Sequence, residues 1–190
     1  MTRPIEVERK RELADGGEAL ARVLAELSWA AGPPVTEVDT YYSRPDVDFM
    51  ETVECLRVRQ RGDFAEITYK PASTAATHSS DSVIAKPETN VPVMPGHAAA
   101  ADQLLECLGM RRLVRVEKRR ASYRHRLHPG ATVSIDTVTG VGVFVETEVV
   151  SADAGAAGRL VEELETQLGI GHCSVVSLPY RDLVMSAVSA

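Results

Sequence analysis

Apolar side chains recur along this chain in two rhythms, every second position in some stretches and every third or fourth in others, and the two alternate. In Ile5-Glu6-Val7-Glu8-Arg9-Lys10 the aliphatics fall between charges, so a strand there sends Glu6, Glu8 and Lys10 to one face. Residues 14–32 carry Leu20, Val23, Leu24 and Leu27 at helical spacing, and Gly32-Pro33-Pro34 ends that helix. Residues 34–43 read as a strand, and 44–54 as a loop with Asp46 and Asp48 in turns. Strands at 55–60 and 64–70 flank the turn Arg61-Gly62-Asp63. From Pro71 to Pro95 the chain is rich in Ser, Thr, Ala and Pro, with one weak strand signal near Val83-Ile84. A second helix is predicted over 96–110, stopped at Gly109. A long alternating strand over 112–127 turns at His128-Pro129-Gly130. Strands at 131–140 and 142–150 make a hairpin around Gly140-Val141-Gly142, and helices over 154–170 and 179–188 close the chain. Many antiparallel strands with interspersed helices predict an α+β fold built on one large sheet or barrel.

The strands share an inversion. Arg57 and Arg59 oppose Leu56 and Val58; Glu66, Thr68 and Lys70 oppose Ile67 and Tyr69; Lys118 and Arg120 are in phase. Ser134 and Asp136 oppose Val133 and Ile135, while Glu146 and Glu148 oppose Val145, Thr147 and Val149. Each strand thus has a charged and an apolar face. One reading is a sheet that shows its charged face to water. The other starts from the sorting of the charges, with cations clustered on some strands and carboxylates on others. A sheet closed with helices outside would line a tunnel with Lys10, Arg57, Arg59, Lys70, Lys118 and Arg120, facing Glu6, Glu8, Asp136, Glu146 and Glu148. Unpaired buried charge is costly, so such a tunnel needs water, ion pairs or a ligand. Arg and Lys match phosphate oxygens, and clustered carboxylates repel unless a divalent cation lies among them. A triphosphate carried with Mg²⁺ or Mn²⁺ would satisfy both sets.

Composition narrows the alternatives. With 190 residues, 44% hydrophobic and 25% charged, a single soluble domain over 1–190 is expected. The formal charge of −6 argues against nucleic acid as a partner. Cys55, Cys107 and Cys173 are scattered, indicating neither a disulfide framework nor a zinc site. With no apolar leader and no membrane-length run, a cytoplasmic protein is expected. His78, His97, His125, His128 and His172 lack ligand spacing and are expected on loops or the surface. Trp29 is expected in the core, and Tyr41 and Tyr42 either pack there or stack on a base.

At this point the residues resemble a known family. Glu6-Val7-Glu8-Arg9-Lys10 matches the ExExK signature of the CYTH superfamily, the triphosphate tunnel metalloenzymes. These include class IV adenylyl cyclases, thiamine triphosphatases and inorganic triphosphatases. DTYYSRPDVDFMETVECLRVR at 39–59 is similar to the cyclase-like branch, and ITYK, VEKRRASY, VSIDTVTGVGVFVETE and LPYRDLV follow in family order. The resemblance covers nearly the whole chain. It implies an eight-stranded antiparallel β-barrel with helices packed outside. It implies that Glu6, Glu8, Asp136, Glu146 and Glu148 bind Mg²⁺ or Mn²⁺. Arg57, Arg59, Lys70, Lys86, Lys118 and Arg120 would bind the substrate, with Lys10, Lys118 and Arg120 catalytic. The implied activity is conversion of ATP to cyclic AMP and pyrophosphate. The alternatives are a thiamine or inorganic triphosphatase, or a CYTH protein that binds a phosphorylated ligand without turnover. The cyclase-like branch also leaves room for a homodimer. One stretch departs: where the family has Lys-x-Arg-x-Glu, this chain has Lys86-Pro87-Glu88-Thr89-Asn90.

Overall fold

In the computed structural model, which describes residues 5–73 and 84–188, every stretch read above as a strand forms one. The chain runs β1 (Ile5–Glu12), α1 (Glu18–Glu26), β2 (Ala30–Ala31), β3 (Val35–Ser43), β4 (Cys55–Arg61), β5 (Phe64–Lys70), β6 (Ile84–Lys86) and β7 (Thr89–Val93). It continues through α2 (Ala98–Cys107), β8 (Arg111–His125), β9 (His128–Val138), β10 (Gly142–Ser151), α3 (Ala154–Gln167) and α4 (Tyr180–Val188). The strands form one antiparallel sheet in the order β6-β1-β10-β9-β8-β3-β4-β5-β7, with β2 paired to β8. Among the described residues the sheet has ten strands where the resemblance implied eight; β6 is the weak signal near Val83-Ile84, and β7 was not read from the sequence. β2 and β6 are only two and three residues long.

The sheet curls until its end strands, β6 and β7, are joined by Pro87-Glu88. Among the described residues no backbone ladder links β6 to β7. Lys70 at the end of β5 spans this seam ionically, reaching Glu6 on β1 and Glu88 in the link. The turn expected at His128-Pro129-Gly130 lies instead at Arg126-Leu127, because β9 already begins at His128. Pro129 is tolerated there because β9 runs past β10, whose ladder starts opposite Ala131.

The outer face carries two apolar layers. Val7, Val133, Val145 and Val149 pack against Leu20 and Leu24 of α1 and Ala157, Val161 and Leu164 of α3. Tyr42, Leu56, Val58 and Ala65 pack against Ala98, Ala101 and Leu105 of α2. A fully buried aliphatic such as Leu24 or Val161 contributes about 1.5–3 kcal/mol. Gly17 lets α1 lie this close to the sheet. Its φ is +82°, and a Cβ there would meet Ile135 Cγ2 at 3.0 Å and Leu13 Cδ1 at 3.2 Å. α3 begins under a cap, Asp153 accepting from the Ala156 N–H at 2.9 Å.

The outer face of β1 is not purely apolar, as alternation alone suggested. Arg9 and Arg11 point outward beside Val7 and are buried under α3, where both reach Glu165 Oε2, at 2.7 and 2.8 Å. Arg11 also donates to the carbonyls of Gly171 and Cys173. Such a triad is retained only when its charges pair, and it locks β1 in the phase that turns Glu6, Glu8 and Lys10 inward. Among the described residues no helix is long and apolar enough to cross a membrane.

Candidate functional site

The inward faces of the curled sheet bound a cavity of about 170 Å³. It is lined by Glu6, Glu8 and Lys10 of β1, Tyr41 of β3, Arg57 and Arg59 of β4, Lys70 of β5, Lys86 of β6, Lys118 and Arg120 of β8, and Glu146 and Glu148 of β10. Glu54, Glu88, Tyr180 and Arg181 are also part of the lining. The inward reading of the alternation is therefore the one the structure adopts, and every expected site residue except Asp136 lines this cavity.

The cations of β4 and β8 stand on a row of carboxylates. Arg59 makes a two-point contact with Asp39, Nε to Oδ1 and Nη2 to Oδ2, both at 2.7 Å. Arg120 grips Asp136 in the same way, at 2.7 and 2.5 Å, and also reaches Glu146. Lys118 lies 3.1 Å from Asp136 and 3.3 Å from Glu37. Glu37 is fully buried and has no hydrogen bond among the described residues, yet Lys118, Arg59 and Arg120 lie within 3.3–3.8 Å. Burial would raise the pKa values of Glu37 and Asp39. The charges of Arg59, Lys118 and Arg120 outweigh it at Glu37, and those of Arg57 and Arg59 at Asp39, so both stay ionised below the usual range. Burial and the neighbouring Arg120 pull the Lys118 ammonium down.

Asp136, expected among the metal ligands, does not line the cavity. Its carboxylate is fully buried and engaged by Arg120, by Lys118 and by the Tyr180 hydroxyl at 2.9 Å, which leaves it orienting cations from beneath the wall. Arg57 is the contrasting case. Its Nη1 approaches Asp39 at 3.5 Å, and its Nε has no hydrogen-bond partner among the described residues. Arg59 is thus gripped at two points by the protein, whereas Arg57 has one long contact with Asp39.

The opposite wall is acidic. Glu8 and Glu148 are direct partners across the β1–β10 ladder, where like charges repel, and Glu6 lies one inward position along. Burial pushes Glu6 up to about 9 against the pull of Lys70, with Glu8, Glu88 and Glu148 adding to the rise. Glu148 is raised by burial and by Glu8 and Glu146. Glu146 moves the other way: burial is outweighed by Arg120, Lys118 and Lys10, and its pKa is lowered. Among the described residues no three His, Cys, Asp or Glu side chains converge as a ready-made ligand set. Glu6 and Glu146 lean on Lys70 and Arg120 instead. The donors still fit a hard divalent cation: they are carboxylate oxygens, and the neighbouring Glu8 disfavours the charge of both Glu6 and Glu148.

One end of the interior is filled. Tyr41, Val116, Val138 and Phe144, in phase with the inward charges, pack with Tyr180 and are covered by Leu183 and Val184 of α4. Lys10 Nζ lies 4.1 Å from the centre of the Tyr180 ring and 3.8 Å from Glu146. At the rim, Lys86 donates to the Val53 carbonyl at 2.7 Å, and Arg181 to the Glu54 carbonyl at 2.8 Å.

Glu37, Asp39, Tyr180, Arg181 and the inward turn of Glu88 are additions to the expected set. Glu37, Asp39 and Tyr41 fall on alternate positions of β3, so the same alternation test would have found them. Tyr42 faces the other way and donates to Asp102 at 2.6 Å. Trp29 is buried against His125 and His128, 5.4 and 6.4 Å away between ring centres, and His97 and His172 are exposed. His78 lies outside the described residues. Cys55, Cys107 and Cys173 are free thiols.

Known proteins share this sequence and fold pattern. A Methanocaldococcus jannaschii protein bearing the name "putative adenylate cyclase" is 27% identical over 182 residues, covering 94% of this chain and 98% of its own. A Pyrococcus horikoshii structure superposes with a TM-score of 0.77 at 25% identity, over 95% of this chain and 98% of its own. A Hippeastrum adenylyl cyclase-like protein, described as having a dominant triphosphatase activity, superposes at 0.70 with 14% identity, over 97% and 96%. The family model for the CYTH domain matches residues 4–178, from the start of β1 to the approach of α4. By that match, and by a curled sheet that turns its charges inward, the chain belongs to the CYTH domain family.

Proposed function

We propose that the cavity binds a triphosphate together with a divalent cation, Mg²⁺ or Mn²⁺, and that the chain catalyses attack on that triphosphate. The observation that carries the reading is the sorting of charge across one cavity. Arg57, Arg59, Lys118 and Arg120 stand on one side, and Glu6, Glu8 and Glu148 on the other. Arg57, Lys70 and Lys86 have the reach and charge to take phosphate oxygens. Arg59, Lys118 and Arg120, tied down by Glu37, Asp39 and Asp136, supply a fixed positive field where charge develops, so little reorganisation is needed during reaction. A cation held by Glu6, Glu8 and Glu148 would neutralise phosphate charge and polarise the phosphorus under attack. Lys10, beside Glu146 at the closed end, is placed to orient the reacting group.

The reaction read first is cyclisation of ATP with release of pyrophosphate, in keeping with the 39–59 stretch and with the name of the M. jannaschii relative. Hydrolysis of a triphosphate is the second reading. It is supported by the closed end and the small volume, which hold a chain of phosphates more readily than a nucleoside. With either metal, purified protein should convert ATP to cyclic AMP and pyrophosphate under the first reading, and release orthophosphate from ATP, thiamine triphosphate or tripolyphosphate under the second. No turnover of any of the three would defeat both.

A further inference from the structure

We propose that Glu88 makes this cavity accept a triphosphate only in company with a divalent cation. The inference rests on the reading of the cavity given above and concerns one side chain at its seam. Lys70 is the cation that β5 contributes, and it is already spoken for. Its Nζ is 2.9 Å from Glu88 Oε2 and in contact with Glu6. Two carboxylates therefore share one ammonium, and all three side chains are largely buried, 16–21% exposed, where screening by water is weak.

Glu88 gets there by topology. It is the second residue of the Pro87-Glu88 link between the two end strands, and the link delivers its side chain to the cavity beside the last residue of β5. The family resemblance places an arginine at this position. A carboxylate in its stead changes the local charge by two and converts a phosphate-facing corner into an acidic one. A bare polyphosphate entering from this side meets Glu8, Glu88 and Glu148 with Lys70 already paired. Once Glu6 and Glu8 turn to a divalent cation, Lys70 is left with Glu88 and regains capacity for a phosphate oxygen. Metal and polyphosphate then bind with positive coupling, and Glu88 sets its size.

Calorimetric titration of tripolyphosphate, in EDTA and in Mg²⁺, tests this on the wild type and on Glu88→Gln, Glu88→Arg and Asn90→Ala. Asn90 accepts from Thr68 at 2.8 Å on the same side of the seam, which makes Asn90→Ala the control for loosening without a charge change. The wild type should bind at least ~100-fold more tightly with Mg²⁺, and Glu88→Gln should narrow that ratio about tenfold by strengthening metal-free binding. Glu88→Arg should narrow it further, and Asn90→Ala should leave it in place, with unchanged circular dichroism in all four proteins. Folded Glu88→Gln and Glu88→Arg proteins that keep the wild-type ratio would overturn the inference while leaving the cavity reading intact. So would an Asn90→Ala ratio that narrows as much. A wild type that takes no tripolyphosphate even with Mg²⁺ would sink the cavity reading, and this inference with it.

Discussion

Asp39→Asn is expected to cost the fold about 3–5 kcal/mol, because it leaves the buried Arg59 guanidinium without the carboxylate it grips at two points. For a chain of this size that corresponds to a melting temperature lower by about 10 °C, readable by calorimetry or circular dichroism. The effect carries a pH signature. Asp39 and Glu37 are held below the usual carboxylate range in the folded state. Their contribution is therefore fully present above about pH 4, the unfolded value, and is lost as the pH falls further, where the unfolded chain takes up protons that the folded one refuses. The stability gap between wild type and Asp39→Asn should accordingly shrink as the pH drops below about 4. A gap that stays constant into acid would show that Asp39 is not the ionised floor of the cation wall.

Arg57→Ala should have the opposite profile. Among the described residues Arg57 has one long contact, to Asp39, and an Nε without a hydrogen bond, so its removal should leave the melting temperature within a few degrees. Tripolyphosphate affinity should fall by about 2–4 kcal/mol, roughly 30- to 1,000-fold, because a charge-assisted contact in a poorly hydrated cavity is lost. On the proposed function the two neighbours on β4 divide the labour, Arg59 maintaining the wall and Arg57 meeting the ligand. A variant that melts much lower yet binds as before would reverse that assignment.

Much of this was legible in the sequence because a strand has a period of two, and a charged face that sorts its signs leaves a trace on each strand separately. Arg57 and Arg59, Lys118 and Arg120, and Glu146 and Glu148 could each be placed on one face from phase, and the sorting of their signs pointed that face inward. What phase could not show is which charges pair. Asp136 alternates like a ligand but lies beneath Arg120, Lys118 and Tyr180, and only the packing of three strands and a helix reveals that. The outward Arg9 and Arg11 break the apolar-face rule because their partner, Glu165, is some 150 residues away on α3. β7 escaped notice because a five-residue end strand containing Pro92, with four of its residues exposed, shows almost no alternation of burial. The filling of the closed end was equally hidden: helical spacing marks the buried face of α4 but not what it covers.

The central claim is that one cavity holds phosphates against its basic wall and a divalent cation against its acidic one. The most direct test is a crystal grown with tripolyphosphate and Mn²⁺, examined by anomalous scattering. The account predicts a manganese peak among Glu6, Glu8 and Glu148, with phosphate density reaching Arg57 and Arg120. Manganese bound away from those carboxylates, or a tripolyphosphate lodged outside the curled sheet, would contradict it.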